Sequence, residues 1–233
     1  MRLLRAMLAL ALALVPGPQD QSRAGEPRSR PIVVELFTSQ GCSSCPPADA
    51  LLRELSQTRA DVLALAFHVT YWDRLGWPDP FALPAATERQ RGYTRISQAG
   101  TMYTPQMVVD GTRDVVGSDR ARVQAALAAA RPVATAGINL REDADGITIS
   151  VSAGQGAGRV LLIGYDPEHR TQVARGENAG RALVEANIVR GLDMAGAWSG
   201  TAMRVTRPRP AGQRLAVIVQ AADGTILAAA RGG

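Results

Sequence analysis

The fold is predicted from residues 31–55, whose sequence is PIVVELFTSQGCSSCPPADALLREL. Its first seven residues form a β-branched run that is apolar except for Glu35, which predicts a strand covered on both faces. The chain's only two cysteines, Cys42 and Cys45, come next. Apolar residues then recur at helical spacing and predict a helix over about 46–57. The stretch therefore has the pattern of a strand, a CxxC loop and a helix.

The residues that follow extend this pattern into a small α/β layer fold. The sequence VLALAFHV, residues 62–69, predicts a second buried strand, and residues 85–98 have a helical, arginine-rich pattern. Strand–helix–strand connections of this length give parallel neighbours with a right-handed crossover. Two short strands then turn at Asp110-Gly111, and a further helix precedes Pro132. The predicted order over 31–131 is β-α-β-α-β-β-α.

The carboxyl-terminal half has a different pattern. Apolar residues alternate with period two from residue 137, and Asp145-Gly146 and Asp223-Gly224 are typical turn sequences. The candidate strands are 137–142, 147–153, 159–165, 201–206, 214–220 and 225–230. The stretch 176–200 contains five glycines and is expected to be irregular or partly helical. We predict an α/β domain over 25–133 and an antiparallel, sandwich-like β-rich domain over 134–233.

Composition narrows the class of protein. The chain has 233 residues, of which 46% are hydrophobic and 20% charged, so it is expected to be globular and not disordered. All 26 basic residues are arginine, against 21 acidic residues, and no window holds five or six like charges. A nucleic-acid partner is therefore not expected. The sequence is silent on oligomeric state.

The first 24 residues have the pattern of a secretory signal. Arg2 and Arg5 precede an apolar run over 6–15, and Ser22 and Ala24 form a small-x-small cleavage site. Ten apolar residues are too few to span a bilayer, which needs about 20, although an uncleaved anchor is the alternative. We expect a periplasmic or secreted protein with no stable membrane anchor after cleavage, in a compartment where disulfides persist.

The two cysteines lie between a buried strand and the start of a helix. Backbone N–H groups and the helix dipole stabilise a thiolate at such a position. Cys42 is expected to be exposed and to attack, and Cys45 to resolve the mixed disulfide. A structural disulfide remains an alternative, although closing four residues stabilises by only about 2 kcal/mol. Haem attachment would require histidine at the position of Pro46, and zinc would require about four ligands.

This arrangement resembles thioredoxin, and the resemblance continues at Thr104-Pro105. It implies a cis peptide bond at Pro105, directly before an antiparallel strand and facing the disulfide, with the backbone at Thr104 pairing with the substrate. It also implies that Glu35 is a buried carboxylate that relays protons to Cys45. The alternative for Glu35 is a solvated edge or an ion pair with a nearby arginine.

Four segments are more closely similar to one family. They are VELFTSQGCSSCPPAD, FHVTYWDRLGWPDPFA, YTPQMVVDG and GENAGRALVEANIVR, and they extend from residue 34 to about 190. They resemble a family of secreted bacterial proteins with a thioredoxin-like fold that is catalogued only as a domain of unknown function. The resemblance implies the fold and leaves the function open.

The end of the second strand supplies further candidate residues. His68, Tyr71, Trp72 and Asp73 should lie near Cys42, because carboxyl ends of neighbouring parallel strands meet at one crevice. An aromatic wall there would bind a peptide or a hydrophobic thiol. Alternatively, this loop folds its own small core over the sheet. A third possibility is a copper site formed by His68 and both cysteines.

The sequence as a whole predicts an exported protein similar to thiol-disulfide oxidoreductases. It would act through a CxxC dithiol or disulfide on a protein or small molecule that carries a thiol or disulfide. No cofactor is predicted, since no GxGxxG or phosphate loop is present. Two other classes stay open: a non-catalytic binding or scaffold module with a structural disulfide, and a copper-binding protein.

Overall fold

The computed structural model describes residues 28–96 and 100–232, and the predicted signal sequence at 1–24 lies outside them. Within these ranges the helices are α1 (Pro46–Thr58), a 3-10 helix (Thr70–Leu75), α2 (Pro84–Ile96) and α3 (Arg120–Ala129). The strands are β1 (Arg28–Ser29), β2 (Ile32–Thr38), β3 (Val62–His68), β4 (Gln106–Val109), β5 (Arg113–Val116), β6 (Val133–Ala134), β7 (Ile138–Asp143), β8 (Gly146–Val151), β9 (Gly158–Gln172), β10 (Ala182–Trp198), β11 (Met203–Arg207), β12 (Arg214–Gln220) and β13 (Ile226–Arg231).

A mixed sheet of eight strands forms the centre of this α/β protein, in the order β13-β12-β9-β10-β3-β2-β4-β5. Strands β2 and β3 are parallel, in register from Ile32 opposite Val62 to Thr38 opposite His68. The predicted order of elements in the amino-terminal half is confirmed. Because Thr38 and His68 end their strands together, the loops that follow them begin at the same edge of the sheet.

The carboxyl-terminal half differs from the sandwich-like domain that the sequence predicts. Strands β9, β10, β12 and β13 extend the first sheet, because β10 pairs in parallel with β3 where Ile188 lies opposite Ala66. Strands β7, β8 and β11 form a separate three-stranded sheet. The strands of this half are antiparallel to one another, as predicted. The division of the chain into domains at residue 133 stays a prediction.

The prediction of irregular structure over 176–200 is wrong for most of that stretch, which forms strand β10. Its glycines suggest a loop, but in the structure they allow close packing and bulges within the strand. A Cβ atom at Gly191 would lie 2.8 Å from Pro210, and the register with β9 shifts between Val189 and Gly191. Glycine is depleted in ordinary strands, but it is used where another backbone approaches closely.

Three buried clusters cover the two faces of the large sheet. On one face, strand residues such as Val33 and Phe37 pack with α2 in a single core. On the other face, Val34 and Leu36 pack with α1 and α3, and residues from β9 and β12 pack with the three-stranded sheet. The alternation of β2 residues between clusters follows from the two-residue period of a strand. No helix within the described residues is long and apolar enough to cross a membrane.

Two hairpin turns from the two halves of the chain touch each other. Gly111 lies in the β4–β5 turn with φ of 76°, and a Cβ atom there would lie 1.9 Å from the carbonyl oxygen of Gly224. Gly224 lies in the β12–β13 turn, and its own added Cβ atom would lie 2.5 Å from the carbonyl oxygen of Gly111. Only glycine fits where two backbones approach this closely.

We predict that Gly111→Ala lowers the free energy of unfolding by about 2 to 4 kcal/mol, because both the positive φ and the contact with Gly224 oppose a methyl group. Urea denaturation measures this change. Gly92→Ala is the matched control: Gly92 lies inside α2 with nothing within 4 Å of an added Cβ, so the free energy of unfolding should rise by up to about 1 kcal/mol. Equal effects of the two substitutions would contradict the prediction.

Candidate functional site

A disulfide joins Cys42 and Cys45, whose Cα atoms are 5.4 Å apart. Cys45 is the residue before α1, and Pro46 and Pro47 occupy the first helical positions, where the amide hydrogens that proline lacks would have no helical partner. The disulfide therefore lies at the amino end of α1, as the sequence predicts.

Both cysteines are fully buried, so the prediction of an exposed Cys42 is wrong. The intervening Ser43 and Ser44 are exposed. A distant segment of the chain makes hydrogen bonds to the backbone of the CxxC loop. This segment is the turn between β9 and β10, residues 173–181, which we call the hairpin tip.

The hairpin tip binds the backbone around the first cysteine. The Asn178 side chain is buried, and its Nδ2 donates hydrogen bonds of 2.9 Å to the carbonyl oxygens of Gln40 and Cys42. The backbone N–H of Ser43 donates to Glu177 at 3.0 Å. Hydrogen bonding with the Ser43 side chain, and then with this backbone N–H, lowers the pKa of the Glu177 carboxyl. The hairpin tip thus contacts the backbone before and after the Cys42 side chain.

Thr104 contacts the disulfide on another side. The Thr104–Pro105 peptide bond is cis, as predicted. The Thr104 hydroxyl donates to Cys42 Sγ at 3.4 Å and accepts from the indole N–H of Trp72 at 2.8 Å. An indole N–H only donates, which leaves the Thr104 hydrogen free to point at the sulfur. Ser44 Oγ lies 3.4 Å from the same sulfur, and it must be the donor because a disulfide sulfur carries no hydrogen.

A cluster of buried ionisable groups lies where α1, β3 and β10 meet. His68 Nδ1 lies 2.7 Å from Asp79 Oδ2, and His68 Nε2 faces Glu185 Oε1 at 3.8 Å. Asp49 interacts electrostatically with this group, and its carboxylate accepts a hydrogen bond of 2.8 Å from Thr38. All four ionisable side chains are buried, so their charges interact strongly.

Gln40 connects this cluster to the CxxC loop. Its side-chain N–H groups donate to Glu185 at 2.6 Å and to Thr171 at 3.0 Å, and its backbone N–H donates to Asp79 at 2.8 Å. Its side-chain oxygen accepts from the Trp77 indole at 3.1 Å. These bonds leave Gln40 little freedom to move, and they fix the strand end from which the CxxC loop starts.

Burial and mutual repulsion set the protonation of the cluster. Burial, and then repulsion from Glu185, raise the pKa of Asp49 to about 8. Burial also raises the pKa of Glu185. For His68, burial alone would lower the pKa, but Asp79 and Glu185 outweigh it and raise the pKa to about 9. Near neutral pH, Asp49 therefore keeps its proton and His68 is charged.

The structure does not bring Glu35 to the disulfide. Glu35 lies on the face of β2 that α2 covers, where its carboxylate accepts from Arg89 Nε at 2.8 Å and from the Tyr93 hydroxyl. This ion pair is the alternative that the sequence analysis left open. Asp49 is the buried carboxyl on the face that carries α1, four residues after Cys45 and thus on the same side of that helix. This helical spacing was the signal in the sequence for Asp49.

The residues after β3 form a packed loop. Tyr71 and Trp72 are half-buried against the core between the large sheet and α2, and Trp72 borders Gly41 beside the cysteines. Asp73 accepts a hydrogen bond of 3.1 Å from the backbone of Asp79, so it holds the loop together. Phe81 packs edge-on against His68 with ring centres 5.5 Å apart. The loop therefore packs onto the core of the large sheet and does not form a separate one, and it places Trp72 next to Thr104.

The predicted copper ligands are not gathered into one site. Both ring nitrogens of His68 face carboxylates, and the two cysteines are bonded to each other. Within residues 28–96 and 100–232, no group of three or more histidine, cysteine, aspartate or glutamate side chains is arranged to hold a metal ion.

Comparison with known proteins identifies the family. Residues 33–220 match the family described as "Protein of unknown function (DUF1223)", and the chain belongs to this family, as the sequence analysis expected. No curated protein matches the sequence.

Two solved structures are similar. Protein AGR_C_4864 from Agrobacterium tumefaciens has 33% sequence identity and a TM-score of 0.73, covering 88% of this chain and 94% of that one. HBP35 of Porphyromonas gingivalis has 12% identity and a TM-score of 0.54, covering 88% and 75% of the two chains. The second likeness concerns the fold alone.

We predict that stability falls as pH rises from about 6.5 to 9. His68 holds its proton more tightly in the folded protein, so its contribution is complete below pH 6.5 and is lost as pH passes about 9. The folded protein disfavours ionisation of Asp49 up to about pH 8, so the free energy of unfolding also falls as pH rises toward 8. We expect the free energy of unfolding to drop by on the order of 2 kcal/mol, measured by urea denaturation.

Asp49→Asn is the matched variant for this measurement, because it keeps the shape of the side chain and cannot ionise. Its stability should depend less steeply on pH between 6.5 and 9 than that of the unmodified protein. A stability that is constant or rises over this range would show that the cluster does not titrate as described.

Proposed function

We propose that this protein is an exported thiol-disulfide exchange protein that acts through Cys42 and Cys45. The observation that carries the proposal is the hydrogen bond from Thr104, the residue of the cis-proline bond, to the sulfur of Cys42 at the amino end of α1. The substrate class is a protein or small molecule with a thiol or disulfide, and the proposed site of action is the periplasm or the cell exterior.

The fold around the disulfide supports a finer assignment as well. A parallel β2–α1–β3 unit, the antiparallel β4–β5 pair and the cis bond before β4 together fit a thioredoxin-like arrangement. We propose this arrangement for the amino-terminal half. The additional strands β9, β10, β12 and β13 would then be an extension that is specific to this family.

The exchange reaction needs two steps. In the reduced protein, the Cys42 thiolate attacks a disulfide sulfur of the substrate, which forms a mixed disulfide and releases one substrate thiolate. The Cys45 thiolate then attacks Cys42 Sγ, closes the protein disulfide and releases the second substrate thiolate. The substrate gains the two electrons that the cysteines lose, and both steps run in reverse when the substrate is a dithiol.

Three groups would stabilise the thiolate of Cys42. The Thr104 and Ser44 hydroxyls lie at hydrogen-bonding distance from its sulfur, and the amino end of α1 carries a partial positive charge. Such interactions lower a thiol pKa below its ordinary value of about 8.5 and raise the share of reactive thiolate at neutral pH.

Asp49 is the group that we propose as acid and base for Cys45. It follows Cys45 by one helical turn, and its pKa of about 8 is close to that of a thiol, which suits proton exchange between them. A cavity of about 310 Å³ between α1 and β10 is lined by Pro46, Asp49 and Glu185, among others, and it would connect the buried carboxyls with water.

A structural disulfide is the second candidate, and the complete burial of both sulfurs favours it. The disulfide would then stabilise the folded chain by about 2 kcal/mol and take no part in exchange. Under this alternative, neither cysteine would form a mixed disulfide with an added substrate while the protein is folded.

Trapping of a mixed disulfide tests the exchange function. We expect purified Cys45→Ser to accumulate a mixed disulfide with oxidised glutathione and with disulfide-bonded insulin, because the resolving thiol is missing. Mass spectrometry measures the adduct. Cys42→Ser is the control and should form far less adduct. If the two variants react alike, or if neither reacts, the structural role is the correct one.

The thiol pKa of Cys42 tests the role of Thr104. In the Cys45→Ser protein, Thr104→Val should raise this pKa by about one unit, since one hydroxyl donor to the thiolate is lost and a hydrogen bond to a charged group contributes on the order of 1.5 kcal/mol. The pH dependence of iodoacetamide alkylation measures the pKa. Thr112→Val, at an exposed position in the β4–β5 turn, should leave it unchanged. A pKa that does not move would remove Thr104 from the site.

A further inference from the structure

The hairpin tip holds a single peptide group by both of its polar atoms. Asn178 binds the carbonyl oxygen of Cys42, and Glu177 binds the N–H of Ser43, and these two atoms belong to the peptide bond that follows Cys42. The second Nδ2 hydrogen of Asn178 binds the carbonyl oxygen of Gln40. The backbone on both sides of Cys42 is therefore held by side chains that are more than 130 positions away in the sequence.

These contacts hold the CxxC loop in the conformation in which the Cys42 sulfur is buried. Cys42 has no exposed surface, although Ser43 and Ser44 on the adjoining turn are exposed. A thiolate must reach the sulfur along the S–S bond, so a fully covered sulfur cannot react until part of its cover moves. The Thr104 and Ser44 hydroxyls contact the sulfur, and Trp72 borders Gly41 beside it. The hairpin tip binds the backbone of the loop.

The hairpin tip lies outside the sheet, and besides the CxxC loop it meets the loop after β3, where an added Cβ atom at Gly176 would lie 3.1 Å from Trp77. Its base is closed by hydrogen bonds between Val173 and Arg181 and between Gly180 and Val173, which are separate from the contacts to the CxxC loop. Most of its residues are exposed, and Asn178 is the buried side chain within it apart from Val173. Gly176 and Gly180 have positive φ and supply flexible backbone on either side of Asn178.

We infer that the hairpin tip is a lid over the disulfide and that Asn178 determines access to it. With the lid seated, the disulfide is closed to thiols. With the lid displaced, the Cys42 sulfur is open to attack and the CxxC loop is free to rearrange as the two sulfurs separate. The lid therefore selects for substrates that displace Asn178 and Glu177, and it protects the disulfide from small thiols.

Reduction by dithiothreitol gives a direct measure of lid opening. One thiolate of dithiothreitol attacks Cys42 Sγ, forms a mixed disulfide and releases Cys45 as a thiolate. The second thiol of dithiothreitol then closes its own ring and releases Cys42, so the reductant loses the two electrons that the protein gains. If the lid opens and closes faster than this chemistry, the observed rate is proportional to the open fraction.

The test compares reduction rates of folded variants, with quenching by iodoacetamide and mass spectrometry. Asn178→Asp keeps the size of the side chain, loses both donors and places a carboxylate against two carbonyl oxygens. It should be reduced at least tenfold faster than the unmodified protein, which corresponds to about 1.4 kcal/mol of lid closure. Glu177→Gln keeps Asn178 in place, and we expect it to be reduced about threefold faster.

Two control variants separate lid opening from general unfolding. Arg175→Ala changes an exposed residue of the same tip and should leave the rate within about twofold. Val151→Ala creates a cavity in the core under the three-stranded sheet, away from the lid, and lowers overall stability. It too should leave the rate unchanged. The lid would be ruled out if Asn178→Asp and Glu177→Gln were both reduced at the rate of the unmodified protein. It would also be ruled out if Val151→Ala were accelerated as much as they are.

This inference concerns the disulfide of the proposed function, but its test requires no biological substrate. If Asn178→Asp is reduced faster while Cys45→Ser traps no adduct, the lid stands and the exchange function fails. If Cys45→Ser traps adducts and the lid variants behave like the unmodified protein, exchange stands and access is controlled elsewhere.

Discussion

The parallel pairing of β10 with β3 brings the parts of the candidate site together. It joins the strands of the carboxyl-terminal half to the parallel sheet of the amino-terminal half through Ile188 and Ala66. Asn187, with positive φ, donates its side-chain N–H to Ala64 and fixes this junction. Without it, neither Glu185 nor the hairpin tip would lie beside the CxxC loop, so the site requires both halves of the chain.

The buried ionisable cluster gives this junction its chemical character. Three carboxyls and one imidazole occupy a region from which water is largely excluded, so they cannot all be charged at once. The ion pair of His68 and Asp79 retains charge, while Asp49 keeps its proton near neutral pH. The same cluster binds Gln40 through Glu185 and Asp79. The buried charges therefore also hold the start of the CxxC loop.

Local sequence was sufficient to predict the amino-terminal elements and the position of the two cysteines. A buried strand, a CxxC pair, two prolines and an apolar helical stripe follow each other within residues 31–55, so each prediction needed only neighbouring residues. The cis bond at Pro105 was predicted from a resemblance. Glu35 was misplaced because strand alternation separates the two faces of β2 but does not say which of them packs against α1.

The remaining features depend on contacts between distant residues. Asn178 and the loop that it covers are separated by 136 positions or more, and no local pattern links them. The prediction that Cys42 is exposed therefore did not take these distant residues into account. Strand β10 was missed for a related reason. Gly191 leaves room for Pro210, and a glycine required by a distant partner is locally indistinguishable from one in a loop.

The touching turns at Gly111 and Gly224 have a consequence for how this chain can vary. Each turn limits the length and side chains of the other, although the two are far apart in the sequence. An insertion in one turn would need a compensating change in the other. The residue that fits in one turn therefore depends on the residue that stands in the other.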